Sequence, residues 1–91
     1  MRDAVNDTVV LDEISSKLSK VAQKVNLSTQ RMKNEYEKSH QFLDGEQYKA
    51  MGESIKSAIE AKDVICDEVE EAQRYIAKLK ALIMEYSKFK F

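Results

Sequence analysis

Along the first half of this chain apolar residues recur at steps of three and four: Leu11, Ile14, Leu18, Val21 and Val25. Alternating threes and fours make a heptad seam, the stripe that one helix presents to another. The same register continues through Ser28, Met32, Glu35 and Ser39 to Phe42, but Ser28, Glu35 and Ser39 stand where leucine is expected. Tyr36 and Leu43, each one place later, shift the stripe sideways. Asn26 to Thr29 is a run of poor helix formers that would bend the rod. Residues 1–6 read as a loose polar lead-in, after which Asp7 or Thr8 can cap a first turn by accepting from its free backbone N–H groups. The pattern predicts helix one over 8–42.

From Tyr48 the seam is cleaner. It runs through Met51, Ile55, Ala58, Lys62, Ile65, Val69, Ala72, Ile76, Leu79, Ile83 and Tyr86, with Lys62 the one charged member. A lysine can snorkel from such a position. Gly52 lies off this seam and costs the helix about 1 kcal/mol relative to alanine. Helix two is predicted over 46–88. At 1.5 Å per residue the rods would be roughly 50 and 60 Å long. Two rods of similar length joined by a short turn fold back antiparallel. The halves share a period but not residue identities, so no internal duplication is read.

Between the rods stands Leu43-Asp44-Gly45-Glu46, the one strong break in a chain without proline. Asp44 with Gln47 has the spacing of a capping box, and Leu43 with Tyr48 that of a hydrophobic staple. Gly45 suits a tight backbone path. The turn residues, taken as 43–46, therefore also start helix two.

Helix two carries more apolar surface than one neighbour can cover. Beside its seam run Tyr75, Leu82 and Phe89, spaced by seven, and Ile59 with Cys66 on another flank. Near the C-terminus, Tyr75, Ile76, Leu79, Leu82, Ile83 and Tyr86 leave little polar face, a wider stripe than an ordinary core-facing helix needs. Contiguous apolar surface of this kind usually marks an interaction site. The fold class expected is all-α, an antiparallel two-helix hairpin that pairs with another into a four-helix bundle. Tyr75, Leu79, Leu82, Tyr86 and Phe89 are the expected partner-binding residues. A three-helix fold with residues 1–12 tucked back is the alternative, weakened by how short and polar that segment is.

Composition narrows the chemistry. The chain has 91 residues, 34% charged and 43% hydrophobic, which reads as one small helical domain over 1–91. Its net charge of −1 gives no electrostatic footprint for nucleic acid. Charge is uneven locally. Glu60, Asp63, Asp67, Glu68, Glu70 and Glu71 form an acidic belt, and Lys78, Lys80, Lys88 and Lys90 make the C-terminal end basic. Solvated helix faces explain this blandly; staggered pairing of two copies, belt to tail, explains it more sharply. Residues 1–12 lack the apolar run of a secretory signal. No stretch approaches ~20 consecutive apolar residues, so no membrane span is expected.

Catalysis needs a nucleophile, acid or base held in a pocket, and a long hairpin offers ridges. His40, the single histidine, has no evident catalytic partner, and Cys66, the single cysteine, reads as a small packing residue. Asp63, Asp67, Glu70 and Glu71 lack the Glu-x-x-His pairs that helical di-metal sites use. No Gly-rich phosphate loop appears. No cofactor, no metal and no enzyme activity are expected.

Leu43-Asp44-Gly45 at a hairpin tip, followed by Glu46-Gln47-Tyr48-Lys49-Ala50-Met51, resembles the WXG, or ESAT-like, superfamily of type VII secretion. Those proteins are helical hairpins of about this length with W-x-G at the turn, and they pair as homo- or heterodimeric four-helix bundles. Leucine in place of tryptophan looks more like the LXG branch of Gram-positive bacteria. There an LXG domain forms the N-terminal helical part of a secreted toxin, and small helical partner proteins of the Lap type target it for export. The family's export tag, an aromatic-x-x-x-acid motif after helix two, is not intact. Tyr86-Ser87-Lys88-Phe89-Lys90 has lysine where the acid belongs.

The resemblance implies a non-enzymatic helical adaptor. Its partner would be an LXG-domain toxin or another helical hairpin protein, and it would be cytoplasmic or exported by a route without a signal peptide. The competing reading is a cytosolic structural coiled coil that pairs with itself as a homodimer and has no link to secretion.

Overall fold

The computed structural model describes the backbone of residues 4–89 and the side chains of residues 6–89. Two helices account for nearly all of it: α1, Ala4–Ser39, and α2, Gly45–Ser87. The expected all-α hairpin is what forms.

α1 begins before the predicted cap. Asp7 lies in its first turn, where a carboxylate favours the positive end of the helix dipole. Thr8 is buried on the inner face. Residues 4–7 contain neither glycine nor proline, so nothing stops the helix from extending past Thr8 towards the N-terminus. The run from Asn26 to Thr29 does not interrupt α1 either. The Thr29 hydroxyl donates to the Val25 carbonyl at 2.8 Å, so it is satisfied inside the helix.

α1 stops three residues short of the expected end. The backbone N–H groups of Phe42 and Leu43 both donate to the Ser39 carbonyl, at 2.9 and 3.1 Å, and tighten the last turn. The Ser39 hydroxyl donates back to the Tyr36 carbonyl at 2.6 Å. Residues 40–44 connect the helices, so the turn begins earlier than 43. Phe42, expected on the seam, is 84% exposed.

The Asp44–Gln47 box expected at the start of α2 forms with both of its bonds. Gln47 N–H donates to Asp44 Oδ1 at 2.8 Å, and Asp44 N–H donates to Gln47 Oε1 at 3.3 Å. These reciprocal bonds are a capping box with Asp at the cap. Gly45 is the first helical residue, and its backbone asks for no glycine. Among the described residues no φ is positive, and a Cβ at 45 would meet nothing within 4 Å. The tight-path reading of Gly45 is therefore corrected: the cap makes the turn, and the glycine does not.

The chain divides into two compact units. One comprises Met1–Val21 and Asp67–Phe91, the other Ala22–Cys66. In the first, Gln73 Nε2 donates to the Ser15 carbonyl at 2.9 Å and to Ser19 Oγ at 2.7 Å. Lys80 Nζ donates to both Asp12 carboxylate oxygens, at 2.8 and 3.1 Å. Residue numbers rise on α2 as they fall on α1, so the helices are antiparallel there. In the second unit the Tyr36 and Tyr48 rings stack with centroids 4.3 Å apart. Ser39 Oγ reaches Met51 Sδ at 3.7 Å, again antiparallel.

Burial fixes the seam. On α1 the inward positions include Thr8, Leu11, Ser15, Leu18, Ala22, Val25 and Thr29, then Tyr36 and Ser39, with Leu43 half-buried in the connection. Ile14, Val21 and Met32, read as seam residues from the sequence, are 44, 46 and 41% exposed. On α2 the inward set includes Tyr48, Gly52, Ile55, Lys62, Cys66, Val69, Ile76, Leu79 and Ile83. Met51 and Tyr86 are exposed instead. The correction has a simple cause. On α1 the lane that turns inward beside Leu11, Leu18 and Val25 holds the small residues Thr8, Ser15, Ala22 and Thr29, and the bulkier lane of Ile14 and Val21 on the other flank stays outside. Among the described residues Val69 is the one buried hydrophobic side chain, at 7%. A pair of helices alone makes a thin core.

Candidate interaction face

The exposed lane has a definite position. On α1, Val10, Ile14 and Val21 each come one place before an inward residue: Leu11, Ser15 and Ala22. On α2, Tyr75, Leu82 and Tyr86 likewise precede Ile76, Ile83 and Ser87. One residue is about 100° of helical rotation, so both lanes lie about a quarter-turn from the seam in the same rotational sense. The helices run in opposite directions. Equal rotations therefore put both lanes on the same side of the pair, as g positions face g positions in an antiparallel coiled coil. Within the unit formed by Met1–Val21 and Asp67–Phe91 this builds one apolar face from two helices.

Four of the five expected partner-binding residues lie on that face. Tyr75, Leu82, Tyr86 and Phe89 are 62 to 73% exposed. At 3.6 residues per turn they fall within an arc of about 60°. Leu79 differs: it is half-buried against the seam and contributes to the face only by its edge. The sequence reading placed the surface on α2 alone. It missed the contribution of α1, because Ile14 and Val21 had been assigned to the seam and Val10 to no stripe. The signal was present: a second apolar lane, Ile14 and Val21, beside that of Leu11, Leu18 and Val25.

The opposite side is more polar. Residues one place after the seam include Asp12, Ser16 and Ser19 on α1 and Glu70 and Arg74 on α2, with Val9, Ala77 and Met84 as apolar exceptions. The interhelical polar bonds of Asp12 and Ser19 come from this side. Arg74 also pairs with Glu70 along α2 at 3.8 Å. The hairpin is thus amphipathic across its width, in addition to along each helix.

The tip unit has different chemistry. Tyr36 lies over Gly52, where a Cβ would stand 2.6 Å from its hydroxyl oxygen and 3.1 Å from Cζ. Partial burial first, and then the Tyr48 hydroxyl, raise the Tyr36 phenol above its ordinary value. His40 meets the Tyr48 ring edge-on at 6.4 Å, and its Nδ1 bonds the Glu37 carbonyl at 2.5 Å. Leu43 is half-buried, while Asp44 and Gly45 are exposed.

Lys62 faces inward as the sequence suggested, with its ammonium group 2.6 Å from Asp63 Oδ1. That hydrogen bond is the main cause raising Lys62 above its ordinary value. Lys62 also lines a groove of about 190 Å³ with Asn26, Thr29, Gln30, Lys33 and Ile59. Cys66 is a free, half-buried thiol on the seam. Among the described residues no group of three or more His, Cys, Asp or Glu is placed to hold a metal ion. No described helix is long and apolar enough to cross a membrane.

No family model, curated protein or solved structure matches this chain. The reading of its function therefore rests on the face and the tip.

Proposed function

We propose that this chain is a non-enzymatic helical adaptor that binds the helical domain of a type VII-secreted, LXG-type effector and assists its export. The observation that carries the reading is the two-helix apolar face: Tyr75, Leu82, Tyr86 and Phe89 on α2, with Val10, Ile14 and Val21 beside them on α1. A second amphipathic hairpin laid on this face makes a four-helix bundle. Burying a large apolar side chain is worth about 1.5–3 kcal/mol each before the costs of association. The Leu43-Asp44-Gly45 tip supports the choice of system, because it stands where W-x-G or L-x-G stands in that superfamily. The adaptor works in the cytoplasm, or leaves with its partner by a route without a signal peptide.

The test is co-expression with genetically neighbouring helical proteins, followed by mass measurement of whatever copurifies. A one-to-one complex with an LXG-domain protein, lost in Leu82→Asp and Phe89→Asp while helix content persists, is the expected result. An unchanged complex in those variants would show that the face is misplaced. Recovery of this chain only with itself supports the cytosolic structural module instead.

A further inference from the structure

Asp44-Gly45 is the one place in the chain where an aspartate or asparagine is followed by glycine. The backbone nitrogen of a following residue can attack an aspartyl carboxyl, and a side chain on that residue obstructs the approach. Gly45 has no side chain, and a Cβ there would meet nothing within 4 Å. Both residues are exposed. Gly45 is also the first residue of α2, so its N–H has no helical carbonyl to donate to. It bonds to no other described residue. The positive end of the helix dipole favours the negative charge that this nitrogen gathers as it attacks.

The other aspartates are placed differently. Asp12, Asp63 and Asp67 are followed by Glu13, Val64 and Glu68, whose N–H groups are tied into helix interiors and whose side chains crowd the nitrogen. At Asp44 a single device restrains the reaction. Oδ1 accepts from Gln47 N–H at 2.8 Å, and Asp44 N–H is held by Gln47 Oε1 at 3.3 Å.

We propose that Asp44 is a site of spontaneous isomerisation to isoaspartate, gated by its capping box. The Gly45 nitrogen forms a bond to Asp44 Cγ. Its proton leaves with a carboxyl oxygen as water, and a succinimide ring closes. Water then opens the ring. Attack at Cγ restores aspartate. Attack at the backbone carbonyl breaks the original peptide bond, leaves Gly45 joined through Cγ, and gives isoaspartate. One water is lost and one regained, with no oxidation or reduction. Cγ reaches the nitrogen only when the carboxyl lets go of Gln47 and the Asp44 backbone turns. That is a local opening at an exposed tip and leaves both helices folded. A cap of ordinary strength slows the step only about fivefold. The product runs its backbone through one more carbon, carries its carboxylate on Cα and has lost the Oδ1 acceptor. The tip then has no cap and a displaced charge. This goes beyond the adaptor reading and needs nothing from it, since the isolated chain suffices.

The test is storage of the full-length chain at physiological temperature and neutral pH, followed by trypsin digestion and electron-based fragmentation. Cuts after Lys38 and Lys49 place Asp44 in the peptide 39–49. The expected result is a second peptide of unchanged mass that accumulates with time and fragments as isoaspartate at 44. Gly45→Ala should abolish it while circular dichroism stays the same. Gln47→Ala loosens the box and should speed it on the order of threefold. Asp44→Asn keeps a capping side chain, loses ammonia in place of water, and should show the conversion as a rising mass of the intact chain. No isoaspartate at 44 would overturn the proposal, as would equal amounts at Asp12 or Asp63. Persistence in Gly45→Ala, a rate indifferent to Gln47→Ala or a constant mass in Asp44→Asn would overturn it too.

Discussion

Replacing Gly52 with alanine sets two effects of similar size against each other. Glycine inside a helix costs about 0.8–1 kcal/mol relative to alanine, so propensity alone says that Gly52→Ala stabilises α2 by that amount. The packing says otherwise. The new Cβ would stand 2.6 Å from the Tyr36 hydroxyl oxygen and 3.1 Å from Cζ, so the ring must move. That ring is stacked on Tyr48, with centroids 4.3 Å apart and planes 14° from parallel. An aromatic pair of this kind is worth about 0.5–1.5 kcal/mol beyond its buried area. Displacing Tyr36 offsets most or all of the propensity gain, so Gly52→Ala alone should change stability by less than about 0.5 kcal/mol in either direction. In a Tyr36→Ala background nothing obstructs the methyl group, and the same change should stabilise by about 1 kcal/mol. The coupling between the positions is thus expected near 1 kcal/mol, well above the additivity error of about 0.3–0.5 kcal/mol. Urea unfolding of the four proteins, followed by circular dichroism at one fixed protein concentration, measures it; the concentration is held because pairing would contribute to apparent stability. Additive free energies would refute the argument, as would the full alanine gain in the Tyr36 protein.

Other perturbations probe other contacts. Asp44→Ala removes the acceptor for Gln47 N–H and should cost about 1 kcal/mol in the same unfolding assay; no loss would mean the cap does not hold the tip in solution. Val69→Ala, at 7% exposure, should cost about 1.5–2.5 kcal/mol from two lost methyl groups and the space they leave, whereas Val64→Ala, at 55%, should be neutral or mildly stabilising; equal effects would sink the seam register. The folded-state values of the Tyr36 phenol and the Lys62 ammonium both lie above their ordinary values of 10.0 and 10.5. Groups raised on folding contribute stability that is complete below the unfolded value and lost as pH rises through the folded one. Unfolding midpoints should therefore fall above pH 10. A phenolate absorbance titration should show a late-titrating tyrosine that disappears in Tyr36→Phe, and coincident titration of the tyrosines would contradict the tip geometry.

Local chemistry was the most legible part of this sequence. The Asp44–Gln47 box needs only two side chains at fixed spacing, and it appears with both bonds made. Heptad spacing announced two long helices, because each period repeats many times and no proline interrupts it. Register was not legible on α1, where the small lane of Thr8, Ser15 and Ala22 turns inward and the bulkier lane of Ile14 and Val21 stays outside. Which lane turns inward depends on α2, so a pattern along one helix cannot decide it. Gly52 was read as a plain propensity cost, since its steric role exists only once Tyr36 is laid across it. The exposed apolar face was half legible: Tyr75, Leu82 and Phe89 stand out by sevens, but their α1 neighbours join them only when the antiparallel sense of the pair is known.

Gly45 lies at an exposed helix start, has room for a side chain and has no backbone need to be glycine. Substitution there is close to silent for folding, and proline is favoured at a first helical position. The motif's glycine and the hairpin's stability are therefore separable variables. A panel of side chains at 45 would leave the tip intact while altering what approaches it from outside, and any loss would then measure recognition at the tip with folding held constant.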